Sequence, residues 1–168
     1  MLNIWLRLGL EALIALILGL ALRRWVCMLA LVKGRSMLDS LRDGEVLFAL
    51  RRRAGREIRR FDVVLCRYPN RKELFVKRVI GLPGETVSMA DDTVFIDGEA
   101  LSEDFPRRRC LRRIEETTLA AGEYFVMGDN RPVSRDSRSP LVGAIPEDKI
   151  VAIARCVVFP PQHIRKIL

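Results

Sequence analysis

Histidine is almost missing from this chain: the 168 residues hold one, His163, placed after Pro160-Pro161 close to the end. A Ser-His-Asp arrangement would therefore have to draw its base from a terminal tail. Cysteine is scarce as well. Cys27, Cys66, Cys110 and Cys156 are far apart, with no C-x-x-C and no neighbouring histidine, which argues against a zinc site. An even count permits disulfides in an exported domain, but the spacing does not choose among the pairings. Cys66, inside the apolar run Val63-Val64-Leu65-Cys66, reads as a buried thiol. Aromatic residues make up only 7% of the chain, and the basic run Arg51 to Arg60 contains none. That weakens a nucleic-acid reading, which wants rings on which bases can stack. There is no internal repeat, no low-complexity linker, and no long helical period after Arg24.

The apolar residues, 49% of the total, are concentrated at the amino terminus. Ile4 to Leu22 is rich in Leu, Ile and Ala and is broken only by Arg7 and Glu11. At ~1.5 Å rise per residue such a segment is about long enough to cross a bilayer core. Neither a basic start nor a small-x-small cleavage site is convincing, and Arg23-Arg24 follow directly, so a retained anchor is favoured over a cleaved leader or an interfacial helix. The expected division is an anchor helix over 1–24 and one domain over 25–168.

Beyond Arg24 the chain alternates short apolar runs with turn formers. Trp25 to Val32, Val46 to Leu50, Asp62 to Tyr68, Leu74 to Ile80, Thr86 to Met89, Thr93 to Ile96, Tyr124 to Met127 and Ile150 to Phe159 read as strands. Asp43-Gly44, Pro69-Asn70, Pro83-Gly84, Asp97-Gly98 and Gly128-Asp129 read as turns between them. The expected fold is mainly β, an antiparallel sheet coiled on itself like a barrel. The net charge of +8 comes largely from arginine clusters, Arg51-Arg52-Arg53 with Arg56, Arg59 and Arg60, and Arg107-Arg108-Arg109 with Arg112 and Arg113. Such runs attract anionic surfaces. Charged loops between strands explain them better than a dedicated binding face does.

Three segments carry chemistry. Ser36-Met37 follows Lys33-Gly34-Arg35, where Gly34 lets the backbone bend so that the Ser36 amide can face a carbonyl. Lys77 lies in the strand Leu74 to Ile80, where alternation puts Phe75 and Val79 on its own face. Serine needs a base, and lysine serves only when its reference pKa of ~10.4 is lowered by several units, which burial achieves. The third segment is Gly128-Asp129-Asn130-Arg131, followed by Ser134, Asp136, Ser137 and Arg138. A Ser134 hydroxyl bonded to the Lys77 amine, and an Asp136–Arg138 pair bracing the loop, are the expected supports.

Together these segments resemble the type I signal peptidases, the membrane-anchored Ser-Lys proteases of family S26. The likeness runs in order along nearly the whole chain. It takes in Gly34-Arg35-Ser36-Met37, Phe61-Asp62-Val63-Val64, Val76-Lys77-Arg78-Val79-Ile80-Gly81-Leu82-Pro83-Gly84-Glu85, Val94-Phe95-Ile96-Asp97-Gly98, Tyr124 to Arg131, and Ser134 to Arg138. The resemblance implies that Ser36 is the nucleophile and Lys77 the general base, with Ser134, Asp136 and Arg138 in support. Gly34, Met37, Arg78, Gly128, Asp129 and Asn130 fall in the same motifs. It implies no metal or organic cofactor. The implied substrates are preproteins with signal peptides, cut after Ala-x-Ala-like sites. Membrane lipid is an implied partner, and the protein translocation machinery a further candidate; nucleic acid is not expected. The implied location is the bacterial cell membrane, with one span and an extracytoplasmic catalytic domain. Charge pulls the other way, because Arg23, Arg24, Lys33 and Arg35 follow the span. The need to cut after translocation outweighs it.

Two departures from the family pattern stand out. Asp39 and Ser40 replace the usual Pro and Thr after Ser-Met-x, and Pro132-Val133 stand where Asp-Asn or similar is common. Some relatives also carry a serine at the position of Gly34, so a side-chain oxyanion donor is lacking here. The stretch from Gly84 to Gly128 is too short for the large inserted domain of some members. Among other classes, a self-cleaving Ser-Lys repressor would need an upstream DNA-binding helix pair, which the first 24 residues cannot supply. A membrane-anchored basic protein that binds anionic lipid or nucleic acid is the remaining alternative.

Overall fold

The computed structural model describes residues 2–52, 57–69 and 71–167, without the side chains of 2, 3 and 21–25. A helix, α1 (Leu2–Trp25), leads into β1 (Cys27–Leu31) and β2 (Val46–Arg51). Next come β3 (Val63–Arg67), β4 (Leu74–Gly81), β5 (Thr86–Ala90), β6 (Thr93–Ile96), β7 (Glu99–Ala100) and β8 (Ile114–Thr118). The chain finishes with β9 (Glu123–Met127), β10 (Ile145–Pro146), β11 (Ile150–Phe159) and β12 (Arg165–Lys166).

The coiled sheet expected from the sequence is here two antiparallel sheets. One runs β1-β2-β11-β3-β4-β9-β10, with β12 paired to β11, and the other runs β7-β6-β5-β8. The ten-residue β11 is the spine of the larger sheet, pairing with β2 on one side and β3 on the other through register shifts that bend it. The run Val63-Val64-Leu65-Cys66 is buried throughout, as a continuous apolar stretch requires when both faces of a strand are covered. Val64 and Val79 pack with Ile145 and Ile153 in one core, while Val63 and Leu65 pack with Met37, Leu41 and Leu47 in another.

A third core joins the smaller sheet to the end of β4, through Ile80, Val87, Met89, Val94, Phe125 and Met127. Gly81 is the tightest point of that junction, since a Cβ there would meet Val87 Cγ2 at 2.5 Å. A side chain would push β5 off β4 and open the core.

The strands expected from the sequence are present within a residue or two, except that β1 starts at Cys27 because α1 continues to Trp25. The expectation passed over β7, β8, β10 and β12. The run Ile114-Glu115-Glu116-Thr117-Thr118 of β8 is almost wholly polar, because only Ile114 turns toward the core. The other three are two-residue pairings, too short to show a period. Cys66, Cys110 and Cys156 are free thiols, and Cys66 is fully buried, which pushes its thiol up to about 12.

Along α1 the side chains of Trp5, Leu6, Leu10, Leu16 and Leu18 are more than half exposed. Among the described residues no helix is long and apolar enough to cross a membrane. Arg53 and Arg56 lie outside the described residues. The rest of the arginine clusters is less free than the sequence suggests. Arg52 pairs with Glu147, Arg60 with Glu85, Arg107 and Arg109 with Asp92, and Arg108 with Asp39.

Candidate active site

Ser36 and Lys77 come together because β4 pairs with β3, and β3 stands against the core over which the 34–45 segment folds. Gly34 adopts φ +88°, a left-handed conformation that favours glycine, and its amide donates to Asp43 Oδ1 at 2.6 Å. The chain then makes a tight turn. Leu41 N donates to Met37 O at 2.7 Å, and both side chains enter the core. Met37 and Leu41 are thus apolar anchors that leave Ser36 at the surface of the core.

Lys77 Nζ is hydrogen-bonded to Ser36 Oγ at 2.7 Å and donates to Val76 O at 2.9 Å. The lysine is 2% exposed. Burial holds its amine below the ordinary lysine range, against the opposing pull of Asp136, Cys66 and Asp129. Phe75 and Val79, its strand neighbours at alternate positions, belong to the apolar core on that side. An amine beside a serine hydroxyl can accept the hydroxyl proton when it is neutral, and burial favours that form.

The Gly128–Arg138 loop closes the site from the end of β9. Asn130 N donates to Ser36 O at 3.0 Å, and Asn130 Nδ2 donates to Arg35 O at 2.9 Å. Both carbonyls beside the serine are thereby turned into the protein. Gly128 must be glycine, since a Cβ there would collide with Ser134 Oγ and the Ser36 carbonyl. Its amide donates to Asp136 Oδ2 at 2.9 Å. Arg138 forks the same carboxylate, Nε to Oδ1 at 2.7 Å and Nη2 to Oδ2 at 2.9 Å, and Nη2 also reaches Arg131 O at 2.8 Å. Burial pulls the Asp136 carboxyl up, but Arg138, the Gly128 amide and Ser134 hold it below the usual carboxylate range.

The bond expected between Ser134 and Lys77 is not formed. Ser134 Oγ is buried beside Asp136 and makes no hydrogen bond of full geometry among the described residues. The sequence also gave no hint of what Arg78 and Asp129 do together. On the opposite face of β4 from Lys77, Arg78 forks Asp129 at 3.0 and 2.8 Å, with side chains 1% and 0% exposed. The Arg78 guanidinium stacks 4.1 Å over the Phe105 ring and donates to Phe61 O. Strand alternation puts Arg78 on the face opposite Lys77 but names no partner, and that partner lies 51 residues away.

Asp39 and Ser40, the departures from the family pattern, reach the 106–108 segment. Arg108 forks Asp39 at 3.2 and 3.3 Å, and Ser40 Oγ donates to Pro106 O at 3.3 Å. A cleft of about 430 Å³ opens between the two sides of the site, with Leu31, Val32 and Met37 on one wall and Phe75, Val76 and Lys77 on the other. Among the described residues no group of acidic, cysteine or histidine side chains could hold a metal ion.

A family model described as signal peptidase, peptidase S26, matches residues 5–159. Signal peptidase I T of Bacillus subtilis (strain 168) is 38% identical, with 98% of this chain and 90% of that protein aligned. Signal peptidase I of Bacillus licheniformis is 38% identical over 91% of this chain and 88% of that protein. Among solved structures, the crystal structure of a signal peptidase I from Enterococcus faecalis V583 matches with a TM-score of 0.51 at 33% identity, covering 58% of this chain and 97% of that one.

Proposed function

The chain belongs to the signal peptidase family, peptidase S26, and we propose that it cuts signal peptides from exported preproteins by a Ser36–Lys77 mechanism. The observation that carries this reading is the 2.7 Å contact between Lys77 Nζ and Ser36 Oγ at a lysine only 2% exposed. A neutral amine that donates one N–H to Val76 O keeps its lone pair for the serine proton. Ser36 Oγ attacks the scissile carbonyl as Lys77 Nζ takes that proton. The Ser36 amide donates to the oxyanion. Lys77 then passes the proton to the leaving amine, and the signal peptide stays esterified to Ser36. A water attacks the ester as it gives a proton to Lys77 Nζ, the signal peptide leaves as its carboxylic acid, and Lys77 returns the proton to the departing Ser36 Oγ, which restores the site.

The substrate is an extended segment lying in the cleft, its backbone pairing with the strand edges on either side. Apolar walls made by Val32, Met37, Phe75 and Val76 favour small side chains at the first and third positions before the cut. The helix α1 attaches the enzyme to the cell membrane as a single anchor, with the catalytic domain on the extracytoplasmic side. The apolar run Ile4 to Leu22 and the outward apolar side chains Trp5, Leu6, Leu10, Leu16 and Leu18 support this. Carbonate-resistant membrane fractionation of the full chain, lost when 2–25 are deleted, is the expected result; release of the full chain by carbonate would remove the anchor.

The test of function is cleavage of a preprotein bearing an Ala-x-Ala site by the detergent-solubilised chain, beside Ser36→Ala and Lys77→Ala. Cutting by the parent and by neither variant is expected. Cutting by Lys77→Ala at the parent rate would remove the lysine from the mechanism. An inert parent would return attention to the basic, lipid-binding alternative, against which the paired arginines already stand.

A further inference from the structure

The residues after Pro160 lie past the stretch matched by the family model, residues 5–159, and include the chain's single histidine. They do not trail from the domain. Pro161–His163 forms a tight turn, β12 pairs back on β11 with Arg165 opposite Val157, and Ile167 N donates to Arg155 O at 3.0 Å. Ile167 then packs on the core that holds Met37 and Leu41.

Arg165 reaches from this returning strand into the segment that carries Ser36. Its Nη2 donates to Ser40 O at 2.6 Å, and its guanidinium forks Glu45, Nη1 to Oε1 at 2.7 Å and Nη2 to Oε2 at 2.8 Å. Glu45 is 1% exposed, and its Oε2 also accepts from Arg42 N at 3.0 Å. His163 Nδ1 lies 3.1 Å from Glu45 Oε1. The segment 36–45 is therefore gripped at two ends by distant parts of the chain, by Asn130 at the carbonyls of Arg35 and Ser36, and by Arg165 at Ser40 and Glu45.

Between those grips lies the single turn 37–41, so the two together fix where Ser36 Oγ stands relative to Lys77. We propose that Arg165 is a positioning residue for the Ser36 nucleophile, acting through its bonds to Ser40 O and Glu45, and that the carboxyl-terminal strand is a clasp on the nucleophile loop. The inference rests on the Ser36–Lys77 reading. It fits the physics of the site, because a displacement of about 1 Å in a reacting group costs on the order of 10²-fold in rate. Only an arginine can fork the carboxylate and bond a carbonyl at once; a lysine offers a point charge.

The test uses the full detergent-solubilised chain with Arg165→Ala and Arg165→Lys. It measures kcat and KM on an Ala-x-Ala preprotein together with amide hydrogen exchange. For Arg165→Ala the expected result is a kcat lower by about tenfold and a KM changed by less than about twofold. Amide exchange should quicken over 38–45 while β3 and β4 stay protected. Arg165→Lys should recover part of the kcat and part of the protection. An unchanged kcat, or unchanged exchange over 38–45, overturns the proposal. Exchange that quickens throughout the domain in both variants also overturns it, since that marks a general structural role. An inert parent defeats the protease reading and the positioning role with it, whereas a parent that cleaves while the variants match it defeats the clasp alone.

Discussion

Ser36 and Lys77 are held by opposite means. Lys77 is fixed by packing, on a strand flanked by β3 and β9 and with apolar neighbours on its own face. Ser36 sits on a turn, outside any strand, and is placed by hydrogen bonds from Asn130 and by the buried anchors Met37 and Leu41. A lysine serves as a base only when its amine is neutral, and burial in the sheet favours that form. The serine must meet a substrate, and a turn tied down by polar bonds is rigid without being covered. On the proposed mechanism, packing tunes the base and tethers aim the nucleophile.

Breaking either reacting group should have the largest effect. Ser36→Ala and Lys77→Ala should each lower kcat/KM by roughly 10³-fold or more, with an unchanged circular dichroism spectrum. Lys77→Met should be just as inactive yet melt higher than the parent at neutral pH. The folded amine has its pKa lowered, so the unfolded chain binds the extra proton. This residue's contribution to stability therefore declines as pH falls from the ordinary lysine range toward the folded value, and an uncharged side chain escapes that loss.

Next in size is the pair beneath the site. Asp129→Ala strands the Arg78 charge at 1% exposure and should destabilise by about 3–5 kcal/mol in urea unfolding, well beyond what any tether costs. Asn130→Ala removes one side-chain tether, and should cost about 1 kcal/mol of stability while kcat falls more than KM rises. A loss confined to stability would mean that packing alone places Ser36. The smallest effect is expected at the surface. Asp39→Asn breaks an ion pair with Arg108 whose side chains are 48% and 50% exposed, and should shift stability by under about 1 kcal/mol.

Much of this division was legible in the sequence, and what was not has a physical reason. Lys77 stood out because a charged residue between Phe75 and Val79 breaks an apolar alternation. Asp136 and Arg138 are near neighbours in sequence, and the chain makes their pairing local. The Arg78–Asp129 pair depends on β4 lying beside β9, a long-range pairing that no local pattern encodes. The same is true of Arg165, whose partners Ser40 and Glu45 lie over 100 residues earlier. His163 read as a stranded tail residue for the same reason, although its ring lies against Glu45. The polar strand β8 was invisible because its side chains face solvent and leave no apolar alternation to read.

The central claim is that Lys77 is a neutral base because it is buried, and the most direct measurement is a titration of its side chain by NMR in selectively labelled protein, set beside the pH dependence of kcat/KM. The account predicts a midpoint well below the free-lysine value of ~10.4, coincident with the pH at which cleavage rises. A midpoint at the ordinary lysine value, or one that cleavage does not follow, would contradict it.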